Sequence, residues 1–442
     1  MTKVITYGTY DLLHYGHIRL LERAKELGDY LIVGVTTENF DKSRGKINVQ
    51  QTLTERIEAV RATGIADEII VEEYEGQKID DILRYQIDIF TVGSDWTGKF
   101  DYLKEYCDVV YLPRTEGISS SEIRSDSHHL KLGIVGNTLS AEKVIKESKY
   151  VDGIDIVGVC GSKETLQTEP FSELSVITED YEELLQESDA LYIKASPELH
   201  FDMIRRAIQC GKHVLCESPM ALSSRERKTL CEMAEAGNVI VMDGIKTAYC
   251  TAYMRLRLMI MSRAVGSVYS VDATCTSLAE PNDGSRKWDP YYEWAPTALL
   301  PVFQLLGVDY LEKHTATHFL DDDHQQDGFT KTDYRFKNAV ASIKVGNSVK
   351  SEGELVISGT KGYIYVPAPW WKTDYFEVRF EKMEDNKRYF YQLDGEGIRN
   401  EIASFVRAIE TGASGTYISE EVSEQICEEM GDFYHRKDIS LI

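Results

Sequence analysis

Two histidines flanking a glycine mark the first place where this chain is equipped for chemistry. His14, Gly16 and His17 follow a short apolar run, Val4–Thr9, and open an amphipathic segment. Imidazoles three apart at a helix start project to one side, and the first amides of a helix favour phosphate. Gly16 lets the backbone approach a ligand closely. The pair can therefore donate to a bound triphosphate. Two histidines that merely cap or pad the turn are the alternative, which suits a single histidine better than such a pair. A second set runs Arg114, Thr115, Glu116, Gly117, Ile118, Ser119, Ser120, Ser121, Glu122, Ile123, Arg124. A positive charge, a glycine and three consecutive hydroxyls before a helical start are what a polyphosphate needs, and one serine can also serve as the N-cap. Arg44 and Lys46, in a glycine-containing loop, and Lys78 are further candidate phosphate ligands; taken singly, each also reads as a solvated surface charge.

A weaker signal lies at Gly133-Ile134-Val135-Gly136-Asn137-Thr138-Leu139-Ser140-Ala141, where a dinucleotide fingerprint would sit between strand and helix. Gly136 can be its first glycine, but Thr138 occupies the second position and Ala141 the third. A side chain at the second position crowds a pyrophosphate. The next strand ends in Cys160-Gly161-Ser162-Lys163, with no acid for a ribose hydroxyl. Ser162 and Lys163 suit a 2′-phosphate, so NADP is preferred to NAD if a dinucleotide binds.

The elements that must position these groups read as α/β throughout. Val4–Thr9, Tyr30–Thr37, Asp67–Glu72, Asp88–Gly93 and Val109–Pro113 are apolar runs of strand length, separated by helical periodicity such as Ile18–Leu27. Such alternation predicts a parallel, doubly wound sheet. A polar break at Ser125–His129 is followed by a second series: Leu132–Val135, Asp155–Cys160, Asp189–Ala195, His213–Glu217 and Asn238–Asp243. From about Val265, Ser267–Thr276, Tyr334–Val345, Glu354–Ser358, Tyr363–Val366, Tyr375–Glu381 and Arg388–Leu393 follow one another with little helix between. They predict a mainly antiparallel α+β sheet domain closed by helices at Asn400–Thr411 and Ser419–Phe433. The expected division is a nucleotide-binding domain at 1–126, a linker at 127–130, a Rossmann dinucleotide-binding-like domain at 131–250 and the sheet domain at 251–442.

Composition narrows the function classes. With 49 basic and 73 acidic residues among 442, the formal charge is −24, which argues against a nucleic-acid partner and for small-molecule substrates held by local basic groups. No apolar run approaches the roughly 18 residues of a membrane span, and the N-terminus enters a strand at once without a signal-like segment. A cytoplasmic location is expected. The eight cysteines show no two-residue spacing of a zinc knuckle or redox pair, so they read as buried free thiols and no metal site is expected.

Residues 1–124 resemble the bacterial glycerol-3-phosphate cytidylyltransferases. The resemblance rests on Val4-Ile5-Thr6-Tyr7-Gly8-Thr9, Asp11-Leu12-Leu13-His14, Leu20–Ala24, Gly98-Lys99-Phe100-Asp101 and Tyr111–Ser119. His-x-Gly-His marks a broad nucleotidyltransferase superfamily, and Arg-Thr-Glu-Gly-Ile-Ser is narrower. The resemblance implies CTP with Mg²⁺ and glycerol 3-phosphate as substrates. It places CTP-binding elements on Thr9, Tyr10, His14, His17, Lys46 and Arg114–Ser121, with Asp11 and Asp95 also at motif positions. Contacts to glycerol 3-phosphate fall on Arg44 and Lys78. His14, His17 and Arg114 are the expected catalytic groups. Ser94 replaces an aspartate beside Asp95. CDP-glycerol would serve a cell-surface polymer such as teichoic acid or a capsule.

About residues 130–440 resemble the Gfo/Idh/MocA oxidoreductases. The matching stretches are Ala195-Ser196-Pro197-Glu198-Leu199-His200, Ala207–Pro219 and Ile357–Tyr363. The resemblance implies an NADP or NAD site at Gly136, Asn137, Thr138, Ser162, Lys163, Ser196, Pro197, His200 and Glu217. Two departures stand out: the family's Glu-Lys-Pro reads Glu217-Ser218-Pro219, and Thr297 stands where members place a catalytic His or Tyr. Lys246 is the expected substitute proton carrier, or else a surface lysine. An active reductase and a retained, non-catalytic domain both remain open. Both families imply a homodimer or larger assembly.

Overall fold

The computed structural model describes residues 1–13, 15–37, 49, 51–73, 76–113, 129–136, 138–161, 171, 174–278, 290–324, 326–391, 393, 395–412 and 417–442, without the side chains of Asp95, Thr138 and Leu139. The chain divides into two compact units, Met1–His129 and Leu130–Ile442.

The first unit is a parallel sheet of β1 (Lys3–Gly8), β2 (Tyr30–Thr36), β3 (Glu68–Glu72), β4 (Ile89–Gly93) and β5 (Asp108–Leu112), in the order β3-β2-β1-β4-β5. These strands read as near-continuous apolar runs because both faces are covered. Val4, Leu31 and Val33 pack under Leu21, Ala24 and Val60 from the helices Tyr15–Glu26 and Leu53–Ala62. Their neighbours Ile5, Ile32 and Phe90 pack on the opposite face against Ile82, from the helix Gln77–Tyr85, and Leu103. The chain reverses direction across the sheet between β1 and β4. Ligand crevices of open α/β sheets form at such a switch point, beyond the strands' carboxyl ends.

The second unit begins with a parallel sheet of β6 (Leu130–Val135), β7 (Ile154–Cys160), β8 (Val176–Thr178), β9 (Ala190–Ile193), β10 (His213–Glu217) and β11 (Val241–Gly244), ordered β11-β10-β9-β6-β7-β8. Its switch point lies between β6 and β9. A nine-stranded sheet follows, built from β12 (Val268–Thr276), β13 (Glu312–Phe319), β14 (Asp327–Arg335), β15 (Val340–Gly346), β16 (Leu355–Gly359), β17 (Tyr363–Val366), β18 (Tyr375–Arg379), β19 (Lys387–Phe390) and β20 (Ile439–Leu441). Most neighbours are antiparallel, but β12–β15 and β13–β20 run parallel.

Three features of this sheet depart from the sequence reading. The run Tyr334–Val345 is not one strand: it spans the end of β14, a turn closed by Phe336 N–H donating to the Ala339 carbonyl at 2.8 Å, and β15. The strand β13 lacks an apolar face because its inward positions are threonines. Thr315 and Thr317 pair with Thr332 and Thr330 across the ladder at 3.2 and 3.1 Å. The helix Pro290–Leu306 escaped notice because Pro296 and Pro301 interrupt it.

Candidate functional site

In the first unit, the carboxyl end of β1 runs into a tight turn. Tyr10 and Leu12 both take left-handed backbone, with φ of 54° and 48°, a conformation that non-glycine residues hold only under constraint. The turn folds the Tyr10 ring back over Gly8, where a Cβ would lie 2.9 Å from the ring. A side chain at that position would push the ring aside. The Tyr10 ring meets the edge of the His17 imidazole at a centroid distance of 5.6 Å, so the turn and the first turn of the helix Tyr15–Glu26 hold each other in place.

Arg56, fully buried, is the key to this geometry and was not singled out from the sequence. Its guanidinium donates to the carbonyls of Thr9 and Thr36, each at 2.8 Å, and to that of Gln51 at 3.1 Å. It ties the ends of β1 and β2 to the helix Leu53–Ala62. Gln51 completes the frame: its N–H donates to Asp11 Oδ1 at 2.9 Å, and its side-chain oxygen accepts from Leu12 N–H at 2.8 Å. The available signal was the capping box Thr52-x-x-Glu55, which fixes where this helix begins and so where Arg56 points.

Thr9, Tyr10, Asp11 and His17 are thus gathered at one strand end. Lys78 sits at the same edge of the sheet, beyond β3. Its ammonium is buried in an ion pair with Glu72 and lies 4.7 Å from the Tyr7 ring centroid. Asp95 lies in the turn Ser94–Trp96 that follows β4. His14, Arg44, Lys46 and Arg114–Ser121, including Thr115, Gly117, Ile118, Ser119 and Ser120, fall outside the described residues. Among the described residues no group of His, Cys, Asp and Glu is arranged to hold a metal ion.

In the second unit, Gly136 follows β6 and the helix Thr138–Ser148 starts two residues later, the strand–turn–helix order of a dinucleotide site at a switch point. A Cβ on Gly136 would stand 3.3 Å from the Lys194 carbonyl oxygen. The turn after β6 is therefore pressed against the end of β9. Ser196 stands at the N-cap position of the helix Pro197–Gln209, and its hydroxyl donates to Glu198 rather than capping a backbone amide. Asn137, Ser162 and Lys163 lie outside the described residues, as does the side chain of Thr138.

His200, an expected contact of the cofactor site, is engaged with backbone. It is buried, with Nδ1 at 2.7 Å from the Pro219 carbonyl and Nε2 at 3.0 and 3.3 Å from the Ala195 carbonyl and amide. Both ring nitrogens are used to join two loops at the ends of β9 and β10. Burial holds the ring below its ordinary pKa, against the pull of the Pro219 carbonyl and Glu217.

Lys246 reaches Glu396 at 3.3 Å, and Lys372 and Lys143 converge on the same carboxylate at 2.7 and 3.2 Å. Burial opposes the charge of Glu396, but the three ammoniums outweigh it and bring its pKa down to about 2. The sequence reading passed over Lys194. Ile193 pairs with Cys216 in the β9–β10 ladder, so Lys194 and Glu217 emerge side by side, Nζ 2.7 Å from Oε1. Glu401, on the helix Ile398–Thr411, is buried near both. Burial and the neighbouring Glu217 push its pKa up to about 8, against the lowering effect of Lys246 and Lys194.

Comparison with known proteins bears on both units. Residues 5–126 match the Cytidylyltransferase-like family, and residues 130–245 match the Oxidoreductase family, NAD-binding Rossmann fold. A glycerol-3-phosphate cytidylyltransferase of Bacillus spizizenii is 52% identical over 126 residues, 28% of this chain and 97% of that protein. One from Staphylococcus aureus is 48% identical over 126 residues, 28% of this chain and 95% of its own length. KijD10, a 3-ketoreductase from Actinomadura kijaniata solved with NADP and TDP-benzene, superposes with a TM-score of 0.62 over 71% of this chain and 99% of its own, at 13% identity. At that identity the likeness concerns the fold.

Proposed function

We propose, for a chain whose leading domain belongs to the glycerol-3-phosphate cytidylyltransferase family, that its first site joins CTP to glycerol 3-phosphate, releasing pyrophosphate and CDP-glycerol. The observation that carries this reading is identity of 52% spanning 97% of a glycerol-3-phosphate cytidylyltransferase, through ordinary surface positions as well as motifs. Nucleotidyl transfer itself follows from family membership; the acceptor is the proposed part.

The chemistry asks little of the protein beyond placement. A phosphate monoester, with a second pKa of about 6, is already largely dianionic at neutral pH and needs no strong base. The site must hold an acceptor oxygen in line with the α-phosphorus and neutralise the departing pyrophosphate. His14, His17 and Arg114 are the proposed donors, with Mg²⁺ arriving as part of the Mg–CTP substrate. Thr9, Tyr10, Asp11, Lys46, Asp95 and the Thr115–Ser121 loop are proposed to seat CTP; Arg44 and Lys78 seat the acceptor phosphate. The product suits a cell-surface polymer of the teichoic acid or capsule kind.

For the second unit we propose an NADP or NAD site with Gly136 and the start of the helix Thr138–Ser148 beneath the pyrophosphate. The switch-point geometry and the family match of residues 130–245 support it. The nicotinamide supplies or removes a hydride. The substrate is proposed to be a precursor or derivative of the same polyol phosphate, so that fusion raises the local concentration of the intermediate. Pyrophosphate release with CTP or ATP against glycerol 3-phosphate, ribitol 5-phosphate and erythritol 4-phosphate tests the first activity. Preference for another alditol phosphate overturns the acceptor assignment.

A further inference from the structure

Four ionisable side chains meet where β9 and β10 end, beside the turn that would carry the dinucleotide. Lys194 and Glu217 form the pair described above, and Tyr192 Oη lies 3.4 Å from the same Glu217 oxygen. Glu401 closes the group from the helix Ile398–Thr411, almost fully buried, with Oε1 lacking a hydrogen-bond partner among the described residues. A buried carboxyl oxygen left without a partner is costly, and such groups concentrate where a site is built for a reaction. Glu217 is followed by Ser218, which carries no dissociable cation, and Lys194 brings an ammonium in from the neighbouring strand β9.

We propose that Lys194 is the proton donor of the second site, held by Glu217 and backed by the buried carboxyl of Glu401. This rests on the reading that the second unit binds a nicotinamide cofactor. In the reductive direction the carbonyl carbon of the substrate accepts a hydride from the reduced nicotinamide. The carbonyl π pair passes to oxygen, and that oxygen takes a proton from the Lys194 ammonium. The amine left behind is reprotonated from solvent, to which about a third of the side chain is open. Charge and protons balance, and the nicotinamide is the reductant.

The surroundings favour Lys194 for this task. Burial works against its charge, but Glu217, Glu293 and Glu401 together hold its pKa above the ordinary value. It therefore stays a cation able to polarise a carbonyl, while an alkoxide is basic enough to take its proton. About a third of its side chain remains exposed, leaving ammonium hydrogens for a ligand. Lys246, by contrast, is drawn to Glu396 with two other lysines. Glu396 itself is fixed by a loop in which a Cβ on Gly395 would clash with Glu147 and one on Gly397 with Cys250 Sγ.

The test uses the full chain and variants Lys194→Ala, Lys194→Arg and Glu401→Gln. NADPH and NADP⁺ affinities are read by fluorescence titration. Oxidation of bound NADPH is followed in a single turnover on mixing with dihydroxyacetone phosphate, glyceraldehyde 3-phosphate or a nucleotide-linked 3-ketosugar. In Lys194→Ala, NADPH affinity should change by less than about threefold while the ratio of NADP⁺ to NADPH affinity rises, because Glu217 is left unopposed near the nicotinamide. The hydride step should fall by about 10² or more, the usual contribution of a general acid. Lys194→Arg should restore the affinity ratio without restoring the rate, since a guanidinium does not release its proton. Wild-type rates and an unchanged affinity ratio in Lys194→Ala overturn the assignment. So does a wild-type chain that binds NADPH yet reduces none of these carbonyl compounds. Failure of the wild type to bind either nucleotide removes instead the reading that the second unit uses a nicotinamide.

Discussion

The Arg56 guanidinium donates to the Thr9 carbonyl at 2.8 Å from a position with no solvent exposure. One side chain on the helix Leu53–Ala62 thereby sets the turn that presents Tyr10, Asp11 and, through ring contact, His17. Arg56→Ala strands the carbonyls of Thr9 and Thr36, and a buried group left unsatisfied costs about 1–3 kcal/mol. The expected result is a loss of about 3 kcal/mol in urea unfolding of the first unit, together with a tenfold or greater fall in CDP-glycerol formation. Lys at this position keeps the charge but lacks the fork that spans three carbonyls, and should recover only part of either loss.

His14 and His17 share one expected outcome. Alanine at either should lower turnover in a CTP-dependent pyrophosphate-release assay by a factor of about 10² or more, the scale of removing one oxyanion-type donor. For His17 the packing loss against Tyr10 also enters, so His17→Phe, which keeps a ring at that place, isolates the imidazole. Near-normal turnover in His17→Phe would strip it of a chemical role.

How far sequence carries depends on which interaction builds an element. The parallel strands announce themselves because both of their faces are apolar, as at Val4 and Ile5, whose side chains enter different core layers. The strand β13 was hidden because its inward faces are hydroxyls, and such ladders look polar in one dimension. In the first site, the spacing of His14, Gly16 and His17 is local and stands out in the sequence. Arg56 and Lys194 do not, since an isolated basic residue reads as surface until the fold shows what stands opposite it. His200 was singled out through a family resemblance, and its three backbone contacts, to Pro219 and Ala195, become visible only in the fold.

Lys78 poses a problem of charge compensation. Its partner Glu72 is 1% exposed, so Lys78→Gln takes the ammonium away from a buried carboxylate, a change that typically costs about 3–5 kcal/mol. Pairing it with Glu72→Gln removes both charges and should restore most of the melting temperature. If Lys78 also touches the acceptor phosphate, the double variant stays defective in one respect: KM for glycerol 3-phosphate rises tenfold or more, while KM for CTP moves little. Equal KM values for both substrates in the double variant would make the pair purely structural.

Glu401 and Glu396 of the second unit should give opposite stability profiles. Glu401 titrates near 8 in the folded chain against an ordinary 4.5, so the folded state holds the extra proton between those values. Stability then declines as pH rises through that window, with Glu217 and Asp243 adding to the penalty and Lys194 and Lys246 relieving it. Glu401→Gln removes the titration, and its gain in melting temperature over wild type should be small at pH 5 and largest above pH 8. Glu396 has the reverse sign: its pKa, lowered from 4.5 to about 2, contributes stability that is present above the upper value and lost as pH falls toward the lower one. Glu396→Gln should therefore melt earlier than wild type at pH 7 and converge with it as pH drops below 4. Scanning fluorimetry from pH 3 to 9 on both variants separates them, because a general loss of packing would shift each by the same amount at every pH.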